Sequence, residues 1–391
     1  MSYIDDIYTM DDIFSMEDCI GKQTGIDIHN VSYWDSSSTF QKQMSQVLQL
    51  PIQSLPWDYY YTYSISKEDR IQVLKNIGIP LEYLNNTMGL LLQSSTIAIV
   101  NMINLLKHFE KRKLCILQPS YFSVGECCKM LSLNYAYENI IFSGNDIEIP
   151  IDRIINGGYD CVWITSPVFC TGKYYNQAQQ EEICRLKEAG LTLVFDESLA
   201  LPGKELLRSI PIDPQTFAIY SPHKAIAING LKFSVLICDV CYEDFLEQWI
   251  DVFSGALSSS NRDAVFHYLS HNYSAECLPK YLAYIENTKN AITELLKQFP
   301  SITMLPDTYG HYITVFTGIR IKDKEELLDM MKSLVRCSMA SFIPGTLNGF
   351  SEKIGLCFRI NLTGDIISLT DGVGRILTVL SNRSMGSGNS N

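Results

Sequence analysis

The sequence predicts an α/β fold with a mostly parallel sheet, joined to a smaller α+β unit, on two observations. Between about residues 113 and 239, short runs rich in Ile, Val, Leu, Phe and Cys alternate with helical patterns. Each run is almost continuously apolar, as strands covered on both faces are. Beyond about residue 275 the alternation stops, and a long helix is followed by strand, helix, strand and helix, which reads as a second, smaller layer. At 391 residues, 46% hydrophobic and 19% charged, the chain can bury a large core.

In chain order, the most apolar long window spans residues 88–106. It contains Gln93, Ser94, Ser95, Thr96, Asn101 and Asn104, too polar for a membrane span, and reads as a buried helix with a polar start. Ser95 and Thr96 open a helix running to about His108. Strands are predicted at residues 114–117, 161–165, 191–195, 217–220 and 233–238. Asn176 caps a helix whose Ile183, Leu186 and Ala189 share a face, and Gly190 stops it. Residues 275–299 read as a helix with Leu278, Tyr281, Leu282, Ile285, Ile292 and Leu296 as apolar positions. Strand 312–316, helix 324–335, strand 354–362 and helix 367–381 follow, and the tail SMGSGNSN reads as disordered. The division expected is a large α/β domain over residues 46–270. Residues 1–45 and 271–391 would form the small α+β domain, with an N-terminal arm and an interdomain helix.

Charge and cysteine usage narrow the function. The formal charge of −12 is spread along the chain, so nucleic acid is not an expected partner, although a locally positive pocket for a small anion is compatible with it. The start MSYIDDIYTMDDIF lacks a basic region followed by an apolar run, so no secretory signal and no membrane association are expected. Twelve cysteines without such a signal point to reduced thiols in a cytoplasm. Cys238 and Cys241 form a lone CxxC, and His267 and His271 lie one helical turn apart without a metalloprotease glutamate. No metal site is predicted.

Ligands of open parallel sheets bind just beyond the carboxyl ends of the strands. At that edge the predicted strands place Tyr121 in QPSY, the stretch 166–172, Asp196 in LVFDES, and Lys224 after Ser221-Pro222-His223. An aromatic ring, a carboxylate, a hydroxyl and a lysine would thus converge on one crevice. Each alone has an ordinary reading: a core tyrosine, a helix-capping aspartate, an exposed strand-end lysine. Their shared placement is what favours a site.

The order Q-P-S-Y, T-S-P-V-F-C-T-G, V-F-D-E-S, S-P-H-K, P-G (Pro344–Gly345) and F-R-I-N-L resembles the fold-type I pyridoxal 5′-phosphate (PLP) enzymes, in particular the class I and II aminotransferases, from about residue 61 to residue 359. The resemblance implies an aspartate aminotransferase-like fold, PLP as cofactor, an amino acid as substrate and a homodimer. It further implies that Lys224 forms an imine with the cofactor aldehyde and then acts as the base at the substrate α-carbon. Asp196 would pair with the pyridine nitrogen and Tyr121 would stack on the ring. Ser95 and Thr96 at a helix N-terminus, Ser221 and Lys232 would hold the phosphate. Tyr61, within the cluster Tyr59, Tyr60, Tyr61 and Tyr63, would reach the neighbouring subunit's phosphate. Arg359 would grip the substrate α-carboxylate through two parallel hydrogen bonds, where the alternative is an ordinary ion pair.

The sequence departs from that family at four places. Phe169-Cys170 stands for Asn-Pro before Thr171-Gly172, so the expected donor to the cofactor's phenolic oxygen is missing. Leu199 stands for a tyrosine that touches the same oxygen, Lys232 for an arginine on the phosphate, and Ser94 for a glycine, which restricts close backbone approach. The resulting expectation is an aminotransferase of specialised metabolism that moves the amino group of an L-amino acid to a 2-oxo acid. A PLP-dependent lyase, cyclase or oxidase is the alternative, favoured by the apolar edge at Phe169 and Leu199. A non-catalytic PLP-binding protein is a third, disfavoured by the presence of both Lys224 and Arg359. No second cation is placed for a dicarboxylic side chain.

Overall fold

The central sheet follows directly from the buried apolar runs. A computed structural model describes residues 3–45, 71, 73–75, 86–225, 232–253 and 273–386. The chain begins with α1 (Tyr3–Thr24), β1 (His29–Asn30) and α2 (Ser38–Ser45), then β2 (Thr87–Leu92), α3 (Ser95–His108), β3 (Lys113–Gln118), α4 (Ser123–Met130) and β4 (Asn134–Asn139). A hairpin of β5 (Ile141–Ser143) and β6 (Asp146–Glu148) leads to α5 (Ile151–Asn156), β7 (Cys161–Thr165), α6 (Gln177–Glu188), β8 (Thr192–Glu197) and β9 (Thr216–Tyr220). The short α7 (Pro222–Ala225), β10 (Ser234–Asp239) and α8 (Glu243–Phe253) follow.

Seven strands pair in the order β2-β10-β9-β8-β7-β3-β4. Five of them run parallel to one another, while β10 lies antiparallel to both β2 and β9. Residues of β7, β8 and β9 are buried throughout, because helices cover both faces. Side chains alternate between two cores: Val162, Ile164, Leu193 and Phe195 face one, with Ile183 and Leu186 of α6. Trp163, Val194 and Phe217 face the other, with Ala98, Ile99 and Met102 of α3.

Beyond the sheet come α9 (Tyr273–Leu296), β11 (Thr303–Met304), β12 (Tyr312–Phe316), α10 (Lys324–Ser338), β13 (Ala340–Ser341), β14 (Cys357–Asn361) and α11 (Ile366–Gly386). β11, β12 and β14 form a three-stranded antiparallel sheet. The N-terminal segment joins this region: β1 pairs in parallel with β13, and the Asn361 amide donates to the Val31 carbonyl at 2.9 Å.

The five strands predicted in the large sheet are present within two residues at each end. Several expectations need correction. The window 88–106 is not one helix: Thr87–Leu92 is a strand on β10, and the helix starts only at Ser95. Met88, Leu90 and Leu92 enter one core and Leu91 the other, a period of two that a continuous apolar run conceals. Strand β4 was not predicted, because NYAYEN lies at the sheet edge and carries no buried run. Asn176 does form a capping box with Gln179 at the start of α6, but Ala189 is exposed at its end, as is Leu282 on α9. Strand β14 is shorter than residues 354–362, since a 3-10 turn occupies Glu352–Ile354 and Gly355 takes φ +83°. Residues 384–386 of the supposed tail continue α11, and residues 387–391 lie outside those described.

Candidate active site

The carboxyl ends of β2, β3, β7, β8 and β9 open on a cavity of about 470 Å³, and Arg359 reaches it from β14. Each strand end delivers one chemical group. After β2, Ser94 caps α3: its hydroxyl accepts from the Ile97 amide at 3.3 Å. The amides of Ser95 and Thr96, in the first turn, have no acceptor within the helix, and the helix dipole makes this end attractive to an anion. Ser94 sits at φ −168°, extended backbone open to any residue. The serine is therefore unstrained there.

After β9, Lys224 projects into the cavity, and its Nζ donates to Ser95 Oγ at 2.5 Å. Burial lowers the lysine's pKa from its ordinary value, the Asp196 charge works against that shift, and the Lys232 charge adds to it. Asp196, the penultimate residue of β8, is buried, and its Oδ1 accepts from the Ser198 amide at 3.2 Å. Burial raises its carboxyl above the ordinary value, against the pull of Ser198 and of Lys224.

The loop after β7 supplies Phe169, whose ring lies 6.0 Å from that of Tyr121 in a tilted arrangement. Cys170 takes φ +63°, which a proline ring, fixed near −65°, does not reach. The turn thus differs from one built on Asn-Pro. Its carbonyl accepts from Thr314 Oγ1 at 2.8 Å, and Gly172 accepts from the Tyr309 amide at 2.8 Å, tying the loop to the smaller sheet. At φ +71°, a Cβ on Gly172 would lie 2.7 Å from the carbonyl oxygens of Tyr309 and Tyr312. Gly172→Ala is therefore expected to cost about 3 kcal/mol of stability through strain and overpacking, read as a lower urea midpoint with unchanged slope.

Arg359 is held from two sides. Its Nε donates to the Ser32 carbonyl at 3.1 Å, one terminal nitrogen donates to Cys170 Sγ at 3.4 Å, and the guanidinium lies 4.8 Å from the Tyr312 ring centroid. Ser32 Oγ returns a bond to the Arg359 carbonyl at 2.5 Å. Among the described residues no carboxylate forms an ion pair with this guanidinium, and a half-buried cation without one is poised for an anionic ligand.

The comparisons with known proteins agree with this geometry. No protein-family model and no curated protein matches the sequence. Solved structures do match. A kynurenine aminotransferase of Pyrococcus horikoshii superposes with a TM-score of 0.75 over 91% of each chain at 12% identity. The aspartate aminotransferase of Rhizobium meliloti gives 0.73 at 13% identity, over 94% of this chain and 96% of that one. The chain has the aspartate aminotransferase fold. A PLP-bound C-S lyase of Staphylococcus hominis also matches, at 0.68 and 17% identity over 90% of each chain, so this fold serves more than one reaction.

Within this fold, the cavity gathers Lys224, Asp196, Tyr121, Ser95, Thr96, Phe169, Lys232 and Arg359, eight of the ten residues singled out in the sequence. Ser221 is not among the lining residues: it is fully buried, and its hydroxyl pairs with that of Ser234 of β10 at 2.5 Å. Tyr61 lies outside the described residues, as do Tyr59, Tyr60, Tyr63, His267 and His271. Leu199 lines the cavity as expected.

The sequence reading missed four lining residues: Trp34, Thr165, Ser198 and His223. Three adjoin motif residues, so motif proximity was a usable signal. Thr165 Oγ1 and His223 Nδ1 are buried without a hydrogen-bond partner among the described residues. Burial, with the Lys224 and Lys232 charges, holds the His223 ring neutral, its pKa lowered to about 3. Trp34 had no such signal, because it arrives from the N-terminal segment through the pairing of β1 with β13.

Proposed function

We propose that the chain is a PLP-dependent aminotransferase acting on an L-amino acid, with a 2-oxo acid as acceptor. The observation that carries this reading is the convergence of Lys224, Asp196, the α3 N-terminus and an unpaired Arg359 on one cavity. The residues present fit the cofactor. The Ser95 and Thr96 amides and Lys232 suit a phosphate dianion. Asp196 suits a pyridine nitrogen, Tyr121 a ring face, and Thr165 Oγ1 and His223 Nδ1 are buried polar atoms that lack protein partners. When bound, PLP supplies an electron sink for a carbanion at the substrate α-carbon.

The chain's own groups would do the rest. Lys224, with its pKa lowered, offers a larger fraction of free amine near neutral pH than an exposed lysine, as a nucleophile and proton carrier must. Asp196 would keep a proton on a facing ring nitrogen, since a carboxylate beside a buried cation favours it. Arg359 would fix the α-carboxylate with two parallel bonds and so orient the α-carbon toward Lys224. Phe169 and Leu199 would keep water away from the reacting edge.

Those two apolar residues also favour a second reading, in which the substrate loses a side-chain group, cyclises or is oxidised. The test is direct. Full-length protein saturated with PLP is expected to turn yellow, and after borohydride reduction the added mass is expected on the peptide containing Lys224. No adduct at residue 224 would overturn the proposal. Single turnovers then separate the chemistries: transamination leaves pyridoxamine phosphate, whereas elimination releases ammonia and leaves PLP unchanged.

The resemblance in sequence further supports a homodimer and a role in specialised biosynthesis. Eleven of the twelve cysteines are free thiols, which supports a reducing cytoplasm. No helix among the described residues is long and apolar enough to cross a membrane. We assign residues 46–270 to the large domain and residues 1–45 with 271–391 to the small one, supported by the joining of β1 to β13.

A further inference from the structure

Trp34 forms part of the cavity wall near Lys224. Its ring lies 5.8 Å from Lys224 Nζ, measured to the ring centroid, and it lines the same cavity as Arg359. The ring is braced from behind by His311, edge-on at 4.9 Å, and by Tyr312 at 5.5 Å. His311 is buried, its Nδ1 meets the Tyr281 hydroxyl at 3.2 Å, and burial keeps it neutral with a pKa lowered to about 3. The backbone on either side of Trp34 is fixed as well. Asn361 Nδ2 donates to the carbonyls of Tyr33 at 2.8 Å and Asp35 at 3.1 Å, and Ser32 exchanges bonds with Arg359. One short segment therefore sets both the guanidinium and the indole, so their spacing is preorganised.

Charge accounting at the cavity points the same way. Among the described lining residues the cations are Lys224, Lys232 and Arg359, and the one carboxylate is Asp196. If Lys224 serves the aldehyde, Lys232 the phosphate and Arg359 the α-carboxylate, none is left for a second carboxylate on the substrate. Asp196 is likewise taken by the ring nitrogen, leaving no partner for a basic side chain. A charged side chain buried here would be unpaired, which is costly, whereas an indole wall in a cavity also lined by Phe169 and Tyr121 rewards a flat apolar ring.

We infer that the site selects α-amino acids with an uncharged aromatic side chain, and that Trp34 is the residue that sets this preference. The inference rests on the proposed PLP chemistry, and its test keeps the two apart. Donor screening is expected to give phenylalanine a kcat/KM at least about 100-fold above glutamate, because an unpaired buried carboxylate is so disfavoured. In Trp34→Ala the phenylalanine-to-alanine ratio of kcat/KM is expected to fall about 30-fold, mostly through KM, and Trp34→Phe is expected to restore most of it. Calorimetric binding of 3-phenylpropionate, which has no amino group to react, is expected to weaken by a similar factor in Trp34→Ala and to exceed that of glutarate in the unaltered protein. A preference for glutamate, or a phenylalanine-to-alanine ratio and a 3-phenylpropionate affinity indifferent to Trp34→Ala, would sink the inference. Borohydride trapping at Lys224 in the same preparations reads the proposed function separately: an adduct with no Trp34 effect removes only the aromatic preference.

Discussion

Replacing Lys224 by alanine is expected to lower turnover by about 10⁴-fold, the upper end of what a positioned proton-transfer group contributes. The expectation follows from the placement of the amine. Lys224 Nζ donates to Ser95 Oγ, sits in the cavity, and has its pKa lowered by burial. The other amine lining the cavity, Lys232, is exposed and lies just before β10. Lys224→Arg is expected to be as inactive as Lys224→Ala, because a guanidinium keeps its proton at any accessible pH and cannot act as nucleophile or base. Both variants should keep the wild-type far-UV dichroism and lose the borohydride-trapped mass on the peptide spanning residue 224. A small primary amine added to Lys224→Ala is expected to return part of the activity. Turnover in Lys224→Arg within tenfold of the parent protein would refute the assignment.

The second large effect is expected at Arg359. Truncating one partner of a buried charged pair costs about 2–5 kcal/mol, so Arg359→Leu should lower kcat/KM for any amino-acid donor by roughly 30- to 4,000-fold. Cofactor absorbance should be unchanged, because the guanidinium touches Ser32, Cys170 and Tyr312 and makes no contact with the α3 N-terminus. Arg359→Lys should recover only part of the loss: an ammonium keeps the charge without the two parallel donors. The readout is a titration of each donor in single-turnover mode. Loss of PLP binding in Arg359→Leu, with donor affinity intact, would move this residue from the substrate to the cofactor.

Much of the site was legible because strand ends are local features. Asp196 and Lys224 each follow a short apolar run, and in parallel sheets such runs end at the ligand-binding edge. Six buried residues from Thr192 to Glu197 make that pattern hard to misread. The capping box at Asn176 and Gln179 was legible for the same reason, since both partners lie within one turn. What failed was information carried by distant pairing. The strand at Thr87–Leu92 looks like the start of the following helix until β10 takes it as a partner. The pairing of the Ser221 hydroxyl with that of Ser234, thirteen residues on, likewise has no local signal.

By itself the sequence determined the alternation of strands and helices, the edge at which a ligand would lie, and the types of group gathered there. These depend on burial patterns and caps that act over a few residues. The tertiary structure alone decided which N-terminal residue faces Lys224, what holds Arg359, and how the loop at Cys170 turns. Trp34 and Arg359 are 325 positions apart in the chain, and Ser32 and Asn361 join them through hydrogen bonds. Contacts at that separation leave no periodicity to read, because they arise only when β1 docks beside β13 and the two ends of the chain share one cavity wall.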